Sequence, residues 1–261
     1  MNISLIGKKA MIGGSSRGIG RAIAQQLAAS GASVTVMARS EDKLNALVSS
    51  LPTNNGQKHQ YLVVDYSNFE AYKKTITTFF KTNSVDILVN NTQGPAAGGA
   101  LEKKVDDYQE AFDLLFKTVV YTTEMALKGM MAQNHGRIIN IASVSVKEPL
   151  AYLSLSNSIR AAVVTWSKTL ASDVGPYNIT VNSTLTGYFN TERLKNLNAT
   201  KAKSLGVPIS EVEEQMLTQV PLRRFGDPAE YGQFVTFLAS DQASFITGTN
   251  IPIDGGLLKS F

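Results

Sequence analysis

The sequence predicts an α/β fold, a doubly wound parallel sheet with helices on both faces, for two reasons. Short apolar runs typical of buried strands alternate along the 261 residues with segments of helical periodicity. The first apolar run leads through a glycine-containing turn into a helix, which begins a right-handed βαβ unit. The composition, 43% hydrophobic and 18% charged, suits a single domain over residues 1–261 with a large core.

The first βαβ unit contains a glycine loop. After the strand that ends at Ile12, the chain has glycines at Gly14, Gly18 and Gly20, then a helix that stops at Gly31. Such glycines let the backbone approach a pyrophosphate closely and direct a helix N-terminus at its charge. The candidate phosphate-binding residues are Gly14, Ser16, Arg17, Gly18, Ile19 and Gly20. Glycines also mark ordinary strand-to-helix turns, so the loop alone leaves that alternative open.

The end of the second strand, residues 33–38, indicates which dinucleotide the loop would bind. An NAD site would place an acidic residue there to hold the ribose hydroxyls, whereas this chain has Arg39 and Ser40. Guanidinium groups bind phosphate through paired, charge-assisted hydrogen bonds. Arg39, together with Arg17, therefore predicts a preference for NADP(H) over NAD(H). The alternative is that both arginines lie on a solvated surface.

The remaining elements continue the alternation. Further strands are predicted at 59–64, 85–90, 137–141, 179–182 and 250–253, and helices at 68–82, 106–133, 154–175 and 227–240. Ligands collect at the carboxyl ends of parallel strands, which draws Asp65, Asn91 and Ser143 to the same edge as the glycine loop. Residues 188–220 leave one strand and return with amphipathic stretches, so we expect a substrate lid there.

Charge and composition exclude several classes of function. The net charge of +4, from 25 basic and 21 acidic residues, is spread without clusters, so we expect neither a nucleic-acid nor a membrane partner. The chain has no cysteine, and His59 and His135 are far apart, which argues against a metal site. Because no segment approaches the length of a membrane span, we expect a cytoplasmic protein.

These motifs together resemble the short-chain dehydrogenase/reductase family. The matching landmarks are the glycine loop, Asp65, Asp86 to Asn91, Gly136 to Ser143, Pro221 to Glu230 and Thr247 to Gly256. The resemblance implies a Rossmann-like sheet of about seven strands, a nicotinamide cofactor, a small carbonyl or alcohol substrate, and a homotetramer or homodimer. It also implies that Asp65 faces the adenine, that Asn91 and Gly187 line the cofactor, and that Thr191 lies near the carboxamide.

The catalytic pattern of that family is only partly present. Family members use a serine, a tyrosine thirteen residues later and a lysine four residues after the tyrosine. Ser143 fits the first position, but the next two hold Ser156 and Arg160, and Leu115 stands where a helix usually supplies an asparagine. A serine hydroxyl is far less acidic than a tyrosine, and an arginine holds its proton firmly. The resemblance therefore implies that the standard proton transfer is lost.

Three other residues are candidates for the missing proton donor. Tyr152 precedes Ser156 by four residues, so it would share a helix face with Ser156 and Arg160 if the helix began early enough. Lys147 and Tyr188 come from adjacent loops, and each candidate could equally be an ordinary packing or surface residue. Two functions follow: an NADP(H)-dependent oxidoreductase with an altered site, or a catalytically silent relative that binds the cofactor as a sensor or scaffold.

Overall fold

The computed structural model describes residues 3–260 and contains a seven-stranded parallel sheet. In spatial order the strands run β3-β2-β1-β4-β5-β6-β7. Their bounds are Lys9–Ile12 (β1), Ser33–Ala38 (β2), Gln60–Val63 (β3), Ile87–Asn90 (β4), Gly136–Ser143 (β5), Ile179–Thr186 (β6) and Asn250–Ile253 (β7). The strand order reverses between β1 and β4, which confirms the predicted doubly wound fold.

Helices cover both faces of this sheet. They are Gly18–Ala29 (α1), Glu41–Ser50 (α2), Phe69–Phe80 (α3), Val105–Phe112 (α4), Thr118–Ala132 (α5), Ser154–Val174 (α6), Glu192–Leu205 (α7), Ile209–Gln219 (α8) and Pro228–Ala239 (α9). Side chains alternate across the sheet, so Ile12 packs into the apolar cluster with α1, α2 and α9, while Met11 packs into the cluster with α3, α5 and α6. Because successive side chains of β1 point to opposite faces of the sheet, the strand contributes to both apolar cores.

The predicted helix over 106–133 is interrupted. Residues Asp113–Lys117 form a π-helical turn between α4 and α5, in which the N–H of Thr118 donates to the carbonyl of Asp113. The Thr118 hydroxyl also donates to the carbonyl of Leu114 at 2.7 Å. One extra residue in a turn shifts the following side chains around the axis, so a single periodicity does not describe the whole segment.

The segment predicted as a lid contains two helices, α7 and α8. Thr191 caps α7 by accepting a hydrogen bond from the N–H of Leu194. The segment ends before α9, where Asp227 and Glu230 form a capping box and Arg224 pairs with Glu230 at 2.6 Å. The hydrogen bond from Arg224 is the main reason that the pKa of Glu230 falls to about 2. These bonds fix both ends of the segment at the carboxyl edge of the sheet.

Within residues 3–260, no helix has both the length and the apolar character that crossing a bilayer requires. The same residues contain no group of three or more His, Cys, Asp or Glu side chains arranged to hold a metal ion.

A glycine contact joins α1 to α9. A Cβ atom built on Gly232 would lie 2.7 Å from the carbonyl oxygen of Ala22, closer than real Cβ atoms approach a backbone. We expect Gly232→Ala to lower the free energy of unfolding by about 1–3 kcal/mol, because the two helices must separate. Urea denaturation measures this change.

Gly175→Ala is the matched control. Gly175 has helical dihedrals, φ −52° and ψ −44°, and nothing lies within 4 Å of its added Cβ. We expect this variant to be unchanged or stabilised by up to about 1 kcal/mol. Equal destabilisation of both variants would show that the α1–α9 contact is not the cause.

Candidate functional site

The carboxyl ends of the parallel strands border two adjoining cavities. The larger, which we call the outer groove, has a volume of about 780 Å³ and follows the glycine loop. The smaller, the inner cavity, has a volume of about 200 Å³ and lies between the end of β5, α6 and the start of α7. Thr92, Gly94, Arg193 and Leu197 line both. A single elongated ligand could therefore occupy the two cavities together.

The structure distributes the predicted cofactor residues between these cavities. The outer groove is lined by Gly14, Ser16, Arg17, Arg39 and Ser40. The inner cavity is lined by Ile19, Asn91, Arg160, Gly187 and Thr191. Gly18 lies against Thr191, since an added Cβ would be 3.3 Å from its methyl carbon.

The glycine loop lies in direct contact with the end of β4. The side-chain amide of Asn91 donates to the carbonyl of Gly13 at 3.0 Å, and a Cβ on Gly14 would lie 2.8 Å from that amide nitrogen. A Cβ on Gly20 would lie 2.3 Å from the carbonyl oxygen of Gly14. Gly14 also has a φ of +57°, a conformation that favours glycine. Only glycines therefore allow this loop.

The N-terminus of α1 is suited to an anion. Its N-cap residue, Arg17, makes no side-chain capping bond, so the first backbone N–H groups of the helix lack a side-chain acceptor. Such N–H groups and the helix dipole together attract phosphate. The chain therefore places a phosphate-binding feature on the wall of the outer groove.

Cationic side chains surround the outer groove. Arg17, Arg39, Lys43 and Arg193 line it, and no Asp or Glu appears among its described lining residues. Arg17 also reaches α7, where its guanidinium lies 2.7 Å from a carboxylate oxygen of Glu192. This exposed ion pair crosses the mouth of the groove.

Asp65 does not line either cavity. Its carboxylate accepts hydrogen bonds from the N–H and the hydroxyl of Ser67, at 3.0 and 2.7 Å, and these bonds lower its pKa. The neighbouring Tyr66 lines the outer groove instead, and its hydroxyl accepts a hydrogen bond from the N–H of Gly14.

The inner cavity brings together the three residues predicted from the catalytic spacing. Ser143 ends β5, and its hydroxyl oxygen accepts a hydrogen bond from the N–H of Ser145 at 3.1 Å. Ser156 and Arg160 lie one turn apart on α6, and all three residues line the cavity. A guanidinium N–H of Arg160 donates to the carbonyl of Ile141 at 2.5 Å. The end of β5 therefore anchors the Arg160 side chain.

The condition for a helical alignment of Tyr152 with Ser156 and Arg160, an earlier start of the helix, is not met. The helix α6 begins at Ser154, so Tyr152 belongs to the preceding turn, where its carbonyl accepts a hydrogen bond from the N–H of Gly98. Tyr152 nevertheless lines the inner cavity, as does Tyr188, whereas Lys147 lines neither cavity. The tyrosine thus approaches the cavity from a loop.

The ionisable groups of the inner cavity keep their protons near neutral pH. Burial raises the pKa of Tyr152, and burial with the nearby Tyr152 raises the pKa of Tyr188 to about 12. Burial, and secondarily the charge of Arg193, lowers the pKa of Arg160 to about 10. At neutral pH the tyrosines are therefore hydrogen-bond donors and Arg160 is a cation.

Sequence reasoning missed Arg193. This residue lies in the first turn of α7, lines both cavities and donates to the carbonyl of Pro95 at 3.0 Å. The only sequence signal for Arg193 was that a cationic residue follows Thr191 by two positions. Whether that side chain reaches the cavity depends on where α7 starts. Leu115, at the position where the family has asparagine, lies instead in the apolar core under α4 and α5.

Comparisons with known proteins agree with one another. Residues 14–258 match a family model described as enoyl-(acyl carrier protein) reductase. The chain is 34% identical to the 3-oxoacyl-[acyl-carrier-protein] reductase FabG of Vibrio cholerae, covering 98% of this chain and 99% of that protein.

Solved structures give the same result. L-sorbose reductase from Gluconobacter frateurii, complexed with NADPH and L-sorbose, is similar with a TM-score of 0.92 and 31% identity, covering 100% of both chains. An NAD⁺-bound xylitol dehydrogenase is similar with a TM-score of 0.87 and 28% identity, covering 96% of this chain and 99% of that one. Both nicotinamide cofactors thus occur among the structural relatives.

An unpaired cation in a cavity is unfavourable to folding. Arg160 makes no ion pair among the described residues, so replacing it by an apolar side chain of similar length removes an uncompensated charge. We expect Arg160→Met to leave the free energy of unfolding unchanged or to raise it by about 1 kcal/mol. Lys168→Met, an exposed position on the same helix, should change it by less than about 0.5 kcal/mol. Destabilisation confined to Arg160→Met would contradict this account.

Proposed function

The chain belongs to the short-chain dehydrogenase/reductase family of nicotinamide-dependent oxidoreductases, and from this premise we propose an NADP(H)-dependent oxidoreductase with an altered catalytic site. Its substrate is a small carbonyl compound or the corresponding alcohol. The observation that carries the proposal is the pair of adjoining cavities, one cationic and bordered by the α1 N-terminus, the other containing Ser143 and Arg160.

The described residues fit a dinucleotide phosphate. The glycine loop packs against Asn91 with no room for a Cβ, which brings its backbone to the wall of the outer groove, and the uncapped first turn of α1 would bind the pyrophosphate. Arg39 and Lys43, aided by Arg17, would bind a 2′-phosphate. Asn91, Gly187 and Thr191 would lie along the nicotinamide half, and Asp65, which lines neither cavity, would reach the adenine only from beside Arg39.

The preference for NADP(H) rests on charge. Arg17, Arg39 and Lys43 line the outer groove, and no acidic side chain is among its described lining residues, whereas an NAD site places a carboxylate at the end of the second strand. The NADPH complex of L-sorbose reductase supports the assignment by analogy.

Ser143 and Arg160 would act on the substrate oxygen and on the cofactor ribose, respectively. The Ser143 hydroxyl would donate a hydrogen bond to the oxygen, which stabilises negative charge as it develops there. Arg160 would hold the ribose and supply a fixed positive charge. When bound, the cofactor supplies or accepts the hydride.

The proposed catalytic site differs from the family pattern mainly in its proton donor. Ser156 stands at the family's tyrosine position and cannot match its acidity. Tyr152, which remains protonated near neutral pH, would supply the proton from the loop before α6. General acid catalysis contributes about 10²–10⁴ in rate, so an imperfect donor slows hydride transfer without abolishing it.

A catalytically silent cofactor-binding protein is the second candidate. The observation that favours it is the presence of Ser156, Arg160 and Leu115 at positions where the family carries its acid–base residues. The two candidates share the cofactor site and differ in turnover.

The first test is calorimetric titration with NADPH, followed by NADPH oxidation with a panel of small carbonyl compounds. We expect micromolar NADPH binding and a turnover that Ser143→Ala lowers by about 10²–10³, because one donor to the developing oxyanion is lost. Ser158→Ala, exposed on α6, is the control and should be unaffected. Binding without turnover would support the silent alternative, and absence of binding would refute both.

Cofactor preference is tested by Arg39→Ala. A charge-assisted hydrogen-bonding pair contributes about 1.5–3 kcal/mol, so NADPH binding should weaken roughly ten- to a hundredfold while NADH binding barely changes. Lys58→Ala removes the same charge near the amino end of β3 and should leave both affinities unchanged. Equal losses for NADPH and NADH in Arg39→Ala would refute the assignment.

A further inference from the structure

Two guanidinium groups line the inner cavity without an acidic partner. Arg160 comes from α6 and Arg193 from the first turn of α7, and the described lining residues include no Asp or Glu. Neither arginine makes an ion pair within residues 3–260. Each makes one hydrogen bond, to the carbonyl of Ile141 or of Pro95. Since a guanidinium has five N–H donors, most of them remain for a ligand.

The two positive charges also repel each other. The charge of Arg193 contributes to lowering the pKa of Arg160, and the charge of Arg17 does the same to Arg193, in both cases after burial as the main cause. Arg160 is half-buried and Arg193 is exposed at the rim of the cavity, and an anion bound beside them would offset the repulsion between the two charges. The cavity is therefore electrostatically complementary to a negatively charged group.

The cofactor does not provide that group in the inner cavity. Its phosphates are assigned to the α1 N-terminus and to Arg17, Arg39 and Lys43, while the nicotinamide ring carries no negative charge. The oxidised ring is itself cationic, so hydride transfer adds positive charge beside Arg160. The remaining source of a negative charge is the substrate.

We propose that Arg193 binds a carboxylate of the substrate and that Arg160, while it holds the cofactor ribose, adds its positive charge to that site, which makes small oxo acids and their hydroxy acids the substrate class. This inference rests on the proposed function for its chemistry, and on the inner cavity alone for the anion site. The carbonyl group lies by Ser143 and the carboxylate lies towards Arg193, where the cavity joins the outer groove.

The size and lining of the cavity agree with such a substrate. About 200 Å³ is below the roughly 300–1,000 Å³ of pockets that hold drug-sized ligands. Leu150, Tyr188 and Leu197 provide apolar contacts for a short carbon chain or a ring. Acyl groups attached to a carrier protein lack a free carboxylate, so this site would separate the chain from relatives named for such substrates.

Calorimetry with an oxo acid and its neutral ester tests the site without turnover. Benzoylformate and methyl benzoylformate are titrated into the protein both alone and saturated with NADP⁺, which cannot reduce a ketone. We expect benzoylformate to bind at least tenfold more tightly than the ester. Without cofactor, Arg193→Gln should weaken benzoylformate binding about ten- to a hundredfold and leave the affinity for the ester unchanged.

Lys195→Gln is the matched control, because it removes one charge from an exposed position on the same helix. It should preserve the preference for the acid, which separates a specific site from the general charge of α7. Equal affinity of the wild type for acid and ester would overturn the proposal, and so would an Arg193→Gln variant that loses NADP⁺ affinity but keeps the preference. Failure of NADP⁺ to bind would refute the proposed function, while the titrations without cofactor would still decide the anion site.

Discussion

The whole site depends on the close contact between the loop after β1 and the end of β4. The amide of Asn91 bonds to the Gly13 carbonyl, and the positions of Gly14 and Gly20 leave no room for a Cβ atom. This contact fixes where α1 begins and hence where its N–H groups point. Because β1 and β4 are neighbours at the reversal of strand order, the same contact opens the crevice that both cavities occupy.

The sequence predicted the sheet well because most buried strands are continuous apolar runs. It placed the end of β6 at residue 182, whereas the strand continues to Thr186. Ser183 and Thr184 are polar yet fully buried, and the Thr184 hydroxyl is paired with the hydroxyl of Tyr231 from α9. The two hydroxyls belong to residues 47 positions apart in the chain, so no local sequence pattern indicates the pair. A prediction from hydrophobicity alone therefore ends the strand too early.

The site was predicted where it depends on spacing and missed where it depends on a helix boundary. Ser143, Ser156 and Arg160 meet because one follows a strand and the others lie a turn apart on α6. The helix α6 starts at Ser154 as predicted, which leaves Tyr152 in the preceding turn, whereas the unpredicted start of α7 brings Arg193 to the cavity. Arg17 was expected to bind a phosphate, and in the structure it pairs with Glu192. No sequence pattern predicts this contact, because the two residues lie in distant segments of the chain.

The ion pair between Arg17 and Glu192 also connects the two cavities. Glu192 and Arg193 are consecutive residues in the first turn of α7: one holds the glycine loop across the outer groove, and the other lines the inner cavity. Both side chains are exposed, so a ligand that binds Arg17 can release the Glu192 carboxylate by side-chain rotation. An anion bound at Arg17 would thus leave an unpaired carboxylate next to Arg193, so the occupancy of the outer groove changes the charge at the entrance to the inner cavity.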